Sequence, residues 1–314
     1  MRYGRLSLLL LLPAAALSAC EPDLKPGPIV DLVGSARLTT NNRRLTGPAD
    51  TVAVRAYART QGDEEPNLER LRIRVEYRPT AEPLTYALPY DPDNPPLGYL
   101  TYVDSAISGR DFAFQSVQPG RTTAGLETWR YEFSDAEGRT GQRSLRLRLV
   151  RTDSALVYHS YTVSLQAPGP VTRRSFLALR QGLALPRFTV LAGSPTPEAQ
   201  QLIDLVYVPG TGAPGLATPA DAALNLKASR WPQKRLTELR STTLTTLDNA
   251  ATTEALDNAF NAGQSFATAT RTGPLRQNQV LAFRTPEGKT GLIRVESIST
   301  TGIPTLVLQV RVTK

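Results

Sequence analysis

The sequence predicts a multidomain protein, an all-β antiparallel sandwich followed by a mixed α+β domain. Three observations predict it. Apolar residues recur with period two in several short runs between residues 30 and 165, the pattern of strands that bury one face. Ala167-Pro168-Gly169-Pro170 then interrupts the chain, and such Pro/Gly clusters mark boundaries. Beyond it, helical spacing joins the strand pattern.

The chain begins with a basic stretch (Arg2, Arg5), an apolar run from Leu6 to Leu12 and small residues up to Cys20. This is the layout of a secretory signal peptide, and the apolar run is well short of the roughly 20 residues a membrane-spanning helix needs. Leu17-Ser18-Ala19-Cys20 resembles the lipobox of bacterial lipoproteins. The resemblance implies cleavage after residue 19, diacylation of the Cys20 thiol and a membrane anchor, because each buried acyl methylene contributes about 0.8 kcal/mol. Residues 20–29 then serve as acylated cysteine and tether, since Glu21 to Pro28 contains three prolines and no periodicity.

Residues 30–167 form the sandwich. Val52, Val54, Ala56 and Ala58 alternate with Ala53, Arg55, Tyr57 and Arg59. Leu71, Ile73, Val75 and Tyr77 oppose Arg70, Arg72, Arg74, Glu76 and Arg78. Trp129, Tyr131 and Phe133 precede a turn at 134–141, after which Leu145, Leu147 and Leu149 alternate with Arg146 and Arg148. A strand from Ala155 to Leu165 closes the domain. The stretch from Tyr131 to Thr140, with aromatic-x-aromatic followed by Asp135-x-x-Gly138, resembles the late hairpin of bacterial immunoglobulin-like and fibronectin type III-like modules. The resemblance implies the fold alone.

Residues 171–314 form the α+β domain. Strands are expected at 175–179, 202–208, 280–284, 291–299 and 305–312. A helix is expected at 252–260, with Thr252 as cap, a face of Ala255, Leu256, Ala259 and Phe260, and Gly263 as stop. The stretch from Val280 to Val295, with Pro286-Glu287-Gly288-Lys289 between its strands, resembles the ending of two-domain lipoproteins common in the Bacteroidota. Ile203-Asp204-Leu205-Val206-Tyr207 and Thr218-Pro219-Ala220-Asp221 resemble earlier landmarks of the same module. That module has no settled activity, so the resemblance transfers no catalytic residue.

Composition excludes several functions. One cysteine and one histidine supply neither a disulfide framework nor a usual structural zinc site. A Ser-His-Asp engine would need His159 as its base. His159 is in phase with Tyr161, Val163 and Leu165, on the core side of its strand. No cofactor or metal is expected: Asp91-Pro92-Asp93-Asn94 lacks the glycine and distal glutamate of an EF-hand loop. Gly210-Thr211-Gly212-Ala213-Pro214-Gly215 lacks the Lys-Ser/Thr of a P-loop. Removing residues 1–19 takes Arg2 and Arg5 from 36 basic residues and none of the 28 acids, leaving a formal +6. Such a balance permits anionic polysaccharide or lipid headgroups as partners, and export argues against nucleic acid.

Two surface features are candidate sites. Tyr86, Tyr90, Tyr99 and Tyr102, with Asp91, Asp93 and Asn94 among them, offer stacking planes and directional hydrogen bonds that suit sugars, and packing at the sandwich edge is the competing use. Arg70, Arg72, Arg74, Arg78, Arg146, Arg148 and Arg151 would form a basic sheet face if their strands share a sheet, able to meet phosphate or uronate. A charged face kept only for solubility is the competing reading. The expected function is a non-enzymatic binding or scaffold role in the cell envelope, with glycan as leading ligand and the outer membrane as location. The alternatives are an envelope hydrolase with a carboxylate pair and a structural subunit of an outer-membrane complex.

Overall fold

The computed structural model describes residues 26–45, 51–79, 98–119, 125–149, 156–191 and 197–314. Half of the described chain is strand, in four sheets with few helices. Cys20 and the residues up to 25, expected to form a tether, lie outside the described residues.

The first half contributes β1 (Ile29–Leu32), β2 (Arg43–Leu45), β3 (Thr51–Arg59), β4 (Leu68–Pro79), β5 (Gly98–Gly109), β6 (Asp111–Pro119), β7 (Gly125–Asp135) and β8 (Thr140–Leu149). They form a three-stranded sheet in the order β1-β3-β6 and a five-stranded sheet in the order β2-β8-β7-β4-β5. Every pairing is antiparallel except β2 with β8. The period-two readings hold residue by residue. Val52, Val54, Ala56 and Ala58 face the same core as Leu71, Ile73, Val75, Trp129, Tyr131, Phe133, Leu145 and Leu147. The β7–β8 turn is set by Asp135, whose buried carboxylate accepts from Glu137 N and Arg139 N at 3.0 Å each, while Gly138 takes a positive φ of 78° that a side chain resists.

The second half contributes β9 (Tyr158–Gln166), β10 (Arg174–Ala178), β11 (Leu183–Pro186), α1 (Arg187–Val190), α2 (Pro197–Leu202), β12 (Leu205–Val208), β13 (Gly215–Ala217), β14 (Glu238–Ser241), α3 (Thr253–Ala262), β15 (Gln264–Ser265), β16 (Val280–Arg284), β17 (Thr290–Ser299) and β18 (Thr305–Thr313). The structure corrects the sequence reading at β9. The alternation places this strand last in the sandwich, but it is hydrogen-bonded along its whole length to β18, at the edge of a six-stranded sheet ordered β15-β14-β16-β17-β18-β9. Tyr161, Val163 and Leu165 stand opposite Val310, Leu308 and Leu306. Any strand with one apolar face satisfies that alternation, so the partner is decided by a register that the strand alone does not encode.

The fourth sheet, ordered β11-β10-β12-β13, explains the nearly continuous apolar runs at 176–179, 183–185 and 203–207. Phe176, Ala178, Leu185 and Val206 on one of its faces join the sandwich core. Leu177, Ala184, Leu205, Tyr207 and Leu216 on the other join the core of the six-stranded sheet. Both faces are covered, so the alternation disappears. The small sheet thus lies between the two larger bodies.

Helix α3 covers the far face of the six-stranded sheet, burying Leu256 and Phe260 against Val280, Ala282 and Leu292; full burial of such side chains stabilises by roughly 1.5–3 kcal/mol each. Thr252 caps it as expected, accepting from Ala255 N at 3.1 Å. Gly263 ends it for a reason other than a left-handed turn. Its φ is −70°, and a Cβ there would lie 2.9 Å from Arg240 Cβ, so the chain needs the space. Gly291 serves likewise: a side chain there would collide with the ring of Phe283, its cross-strand partner.

Candidate functional site

The outward face of the five-stranded sheet is built by alternation. Because Leu71, Ile73 and Val75 point inward, Arg70, Arg72 and Arg74 must point outward, and the same holds for Arg130 on β7 and Arg146 and Arg148 on β8. The strands do share a sheet, with β7 between β4 and β8. Arg44 on β2 stands in register with Arg148. Arg151 lies outside the described residues.

The face divides into two electrostatic halves. On the β4–β5 side each arginine meets a carboxylate. Arg70 Nε donates to Asp104 Oδ1 at 2.6 Å and Nη2 to Oδ2 at 2.6 Å, a fork-to-fork pair that holds the Asp104 carboxyl below its ordinary range. Glu132 receives Arg74 at 2.5 Å and Arg72 at 3.5 Å, and Glu76 receives Arg78 at 2.6 Å. Four arginines toward β2 and β8 have no such partner among the described residues. Arg44, Arg130, Arg146 and Arg148 are exposed and carry no ion pair among the described residues. Neighbouring strands lie about 4.8 Å apart, so the cations of Arg44 and Arg148 repel each other across the sheet.

Of the tyrosine-rich segment, Tyr86, Tyr90, Asp91, Asp93 and Asn94 lie outside the described residues. Tyr99 is in β5, opposite Glu76, and its side chain is likewise not described. Tyr102 requires a correction as a ligand-contacting residue. It is 2% exposed, with its ring edge-on to Trp129 at 4.9 Å and to Phe188 at 5.4 Å. Apolar contacts on both sides make it a core residue joining the two halves, and burial raises its phenol pKa. His159 is half-buried at the end of the apolar face of β9, in register with buried Val312.

The landmarks in the second half meet in two networks that spacing did not reveal. Asp204, 1% exposed, accepts from Arg235 Nε and Nη2 at 3.0 and 2.8 Å, from Leu179 N at 2.8 Å and from Thr237 Oγ1 at 3.2 Å. Arg235 continues to Glu287 of the β16–β17 turn at 2.5 and 2.7 Å. Burial pushes the Asp204 carboxyl upward against the pull of Arg235, while Arg235 holds exposed Glu287 down at about 2. Asp221 is buried beneath Arg271, with which it forms a two-pronged pair, and it also accepts from Thr270 Oγ1 and Ala223 N at 2.8 Å each; the guanidinium holds it at about 2. Arg235 and Arg271 lie 31 and 50 residues from these aspartates, beyond any local signal.

A cleft of about 690 Å³ beside Arg235 is lined by Arg180, Gln201, Lys234, Glu198 and Glu287. It contains two carboxylates, but Glu287 is held low, the opposite of what a general acid requires. A second cleft, about 440 Å³, lies between residues 242–246 and α3 and is lined by threonines, asparagines and alanines. Among the described residues no group of three or more His, Cys, Asp or Glu could hold a metal ion. No helix among them is long and apolar enough to cross a membrane.

Neither the protein-family models nor the curated proteins compared with the chain match it. Among solved structures, a DUF4466 family protein from Parabacteroides merdae aligns at 10% identity, covering 92% of this chain and 99% of that one, with a TM-score of 0.36. Spo0M, a sporulation control protein from Bacillus subtilis, aligns at 11% identity over 60% of this chain and 78% of its own, with a TM-score of 0.25.

Proposed function

We propose that this protein is a lipid-anchored, non-enzymatic binding protein of the cell envelope whose ligand is a glycan. In this reading the first half is an immunoglobulin-like sandwich that presents the ligand surface. The second half is an α+β body built around a module whose landmark residues serve structure. One observation carries the proposal. The described chain has a broad outward sheet face with four cations that no described carboxylate pairs, whereas of its four buried carboxylates Asp135, Asp204 and Asp221 are held by arginine and Glu127 accepts from the Trp129 indole at 3.1 Å. A catalytic carboxylate must be free to exchange a proton; an arginine face needs only to be exposed.

The anchor and the ligand are tested separately. Palmitate labelling of the full chain in a bacterial host should mark the protein and place it in the outer-membrane fraction, and Cys20→Ser should abolish the label. Export without label in the unaltered chain would remove the anchor from the account. A glycan array probed with the full chain in non-ionic detergent should return at least one polysaccharide class. A blank array together with glycosidase turnover would favour a hydrolase instead.

A further inference from the structure

We infer that the ligand is an acidic polysaccharide, bearing uronate or phosphate groups, held across β2, β8 and β7 by Arg44, Arg148, Arg146 and Arg130. This deepens the proposed function by naming the ligand chemistry and its place on the sheet.

Three observations carry it. The charge is unmatched on one half of the face only. Asp104, Glu132 and Glu76 neutralise Arg70, Arg72, Arg74 and Arg78, whereas no described carboxylate reaches the other four. A face kept charged merely for solubility would intersperse both signs throughout, as the β4–β5 half does. Second, the arrangement is locally unfavourable. Arg44 and Arg148 are register partners, and Arg146 follows two residues along β8 on the same side. Like charges directly opposite each other destabilise a sheet, and a polyanion laid over them turns that repulsion into attraction. Leu126 and Thr128, in register with Arg148 and Arg146, give the same rows a half-buried apolar patch and a hydroxyl. A carboxylated or phosphorylated sugar ring presents the complementary surfaces.

The third observation concerns where the cations stand relative to the point at which the chain enters the sandwich. The chain enters the sandwich at the β7–β8 turn, where Gly27 and Pro28 lie against Thr140 and Gly141 so closely that a side chain on either glycine would collide with backbone. Arg146 and Arg148 lie six and eight residues farther along β8, about 20–27 Å from that turn at a strand's rise per residue. An acyl anchor on Cys20 reaches Gly27 through seven residues, about 25 Å when fully extended. An anchor on Cys20 would therefore meet the sandwich at its turn end, with Arg146 and Arg148 displaced toward the other end.

The test is calorimetric titration of the full chain, in non-ionic detergent, with an oligogalacturonate and with a phosphate-bearing polysaccharide. Binding to at least one is expected. It should weaken at least tenfold in the double variant R146E/R148E, change less than twofold in R70A, and fall as salt screens the charges. Thermal melting confirms that both variants are folded, and Arg146→Gln with Arg148→Gln serves if the reversal impairs folding. Failure of both polymers to bind overturns the inference, as does equal binding by the double variant. Tighter binding to phosphatidylglycerol vesicles than to either polymer also overturns it. If a neutral glycan binds and the arginine variants bind it unchanged, the inference fails while the glycan-binding function stands.

Discussion

The arginines of the two halves are used in opposite ways. In the second half Arg235 and Arg271 reach inward to aspartates that are 1% and 3% exposed, and each network joins segments far apart in the chain. On the five-stranded sheet these arginines point outward, and half of them pair with no carboxylate among the described residues. The first arrangement is structural. Removing one partner from a buried pair leaves an uncompensated charge, whereas an exposed cation has water in either case. The formal charge of the chain therefore overstates its reach, because only the exposed, unmatched arginines can act on a partner.

Substitutions sharpen this contrast in order of expected effect. Arg235→Ala leaves the buried Asp204 without its guanidinium, and about 3–5 kcal/mol of unfolding free energy should disappear in urea denaturation. A loss below about 1 kcal/mol would mean that the network is not structural. Acid comes next. Asp221 titrates at about 2 in the folded chain against about 3.9 when unfolded. Its folded pKa is depressed, so its contribution is complete above about pH 4 and is lost as the pH falls through about 2. That contribution is at most about 2–3 kcal/mol, reduced by the solvent that screens the part-exposed Arg271. Stability measured between pH 5 and 2 should therefore decline, and Asp221→Asn should flatten the decline; an unchanged slope would contradict the pairing with Arg271.

Tyr102 probes the boundary between the two uses of the surface. Its buried hydroxyl has at most a weak interaction with the Thr189 hydroxyl, so Tyr102→Phe should change stability by about 1 kcal/mol or less, whereas Tyr102→Ala should remove about 3–5 kcal/mol by opening a cavity between Trp129 and Phe188. Glycan binding should be the same in Tyr102→Phe as in the unaltered chain. The smallest effect carries a sign. Arg148→Gln relieves repulsion from Arg44 and should raise stability by a few tenths of a kcal/mol, while Arg70→Gln breaks the Asp104 pair and should lower it by up to about 1 kcal/mol. Double-mutant cycles in chemical denaturation resolve both.

The core of the first half was legible in the sequence because one face of each long strand is dry. Val52 to Ala58, Leu71 to Tyr77, Trp129 to Phe133 and Leu145 to Leu149 show it as strict alternation. β5 and β6 were not legible. Tyr102 and Val103 are adjacent and both buried in β5, which breaks its period, and β6 alternates but buries Ser116 and exposes Val117, which hides its period in the sequence. The second half hid more. A sheet covered on both faces has no alternation to read, and β9 carries a pattern that suits either sheet. The basic face was legible on β4 and β8, but its division into matched and unmatched halves depends on which acids the neighbouring strands bring into register. Asp104 and Glu132 lie 34 and 60 residues from the arginines they neutralise, and no local window contains both.

The central claim is that the unmatched arginines, and not the matched ones, hold an acidic glycan. Titrating an oligogalacturonate and a phosphate-bearing polysaccharide into the unaltered chain, R146E/R148E and R70A, at equal ionic strength, tests it most directly. The account predicts binding of at least one polymer that is at least tenfold weaker in R146E/R148E and within twofold in R70A. Equal affinities in all three proteins, or no binding in any, would contradict it.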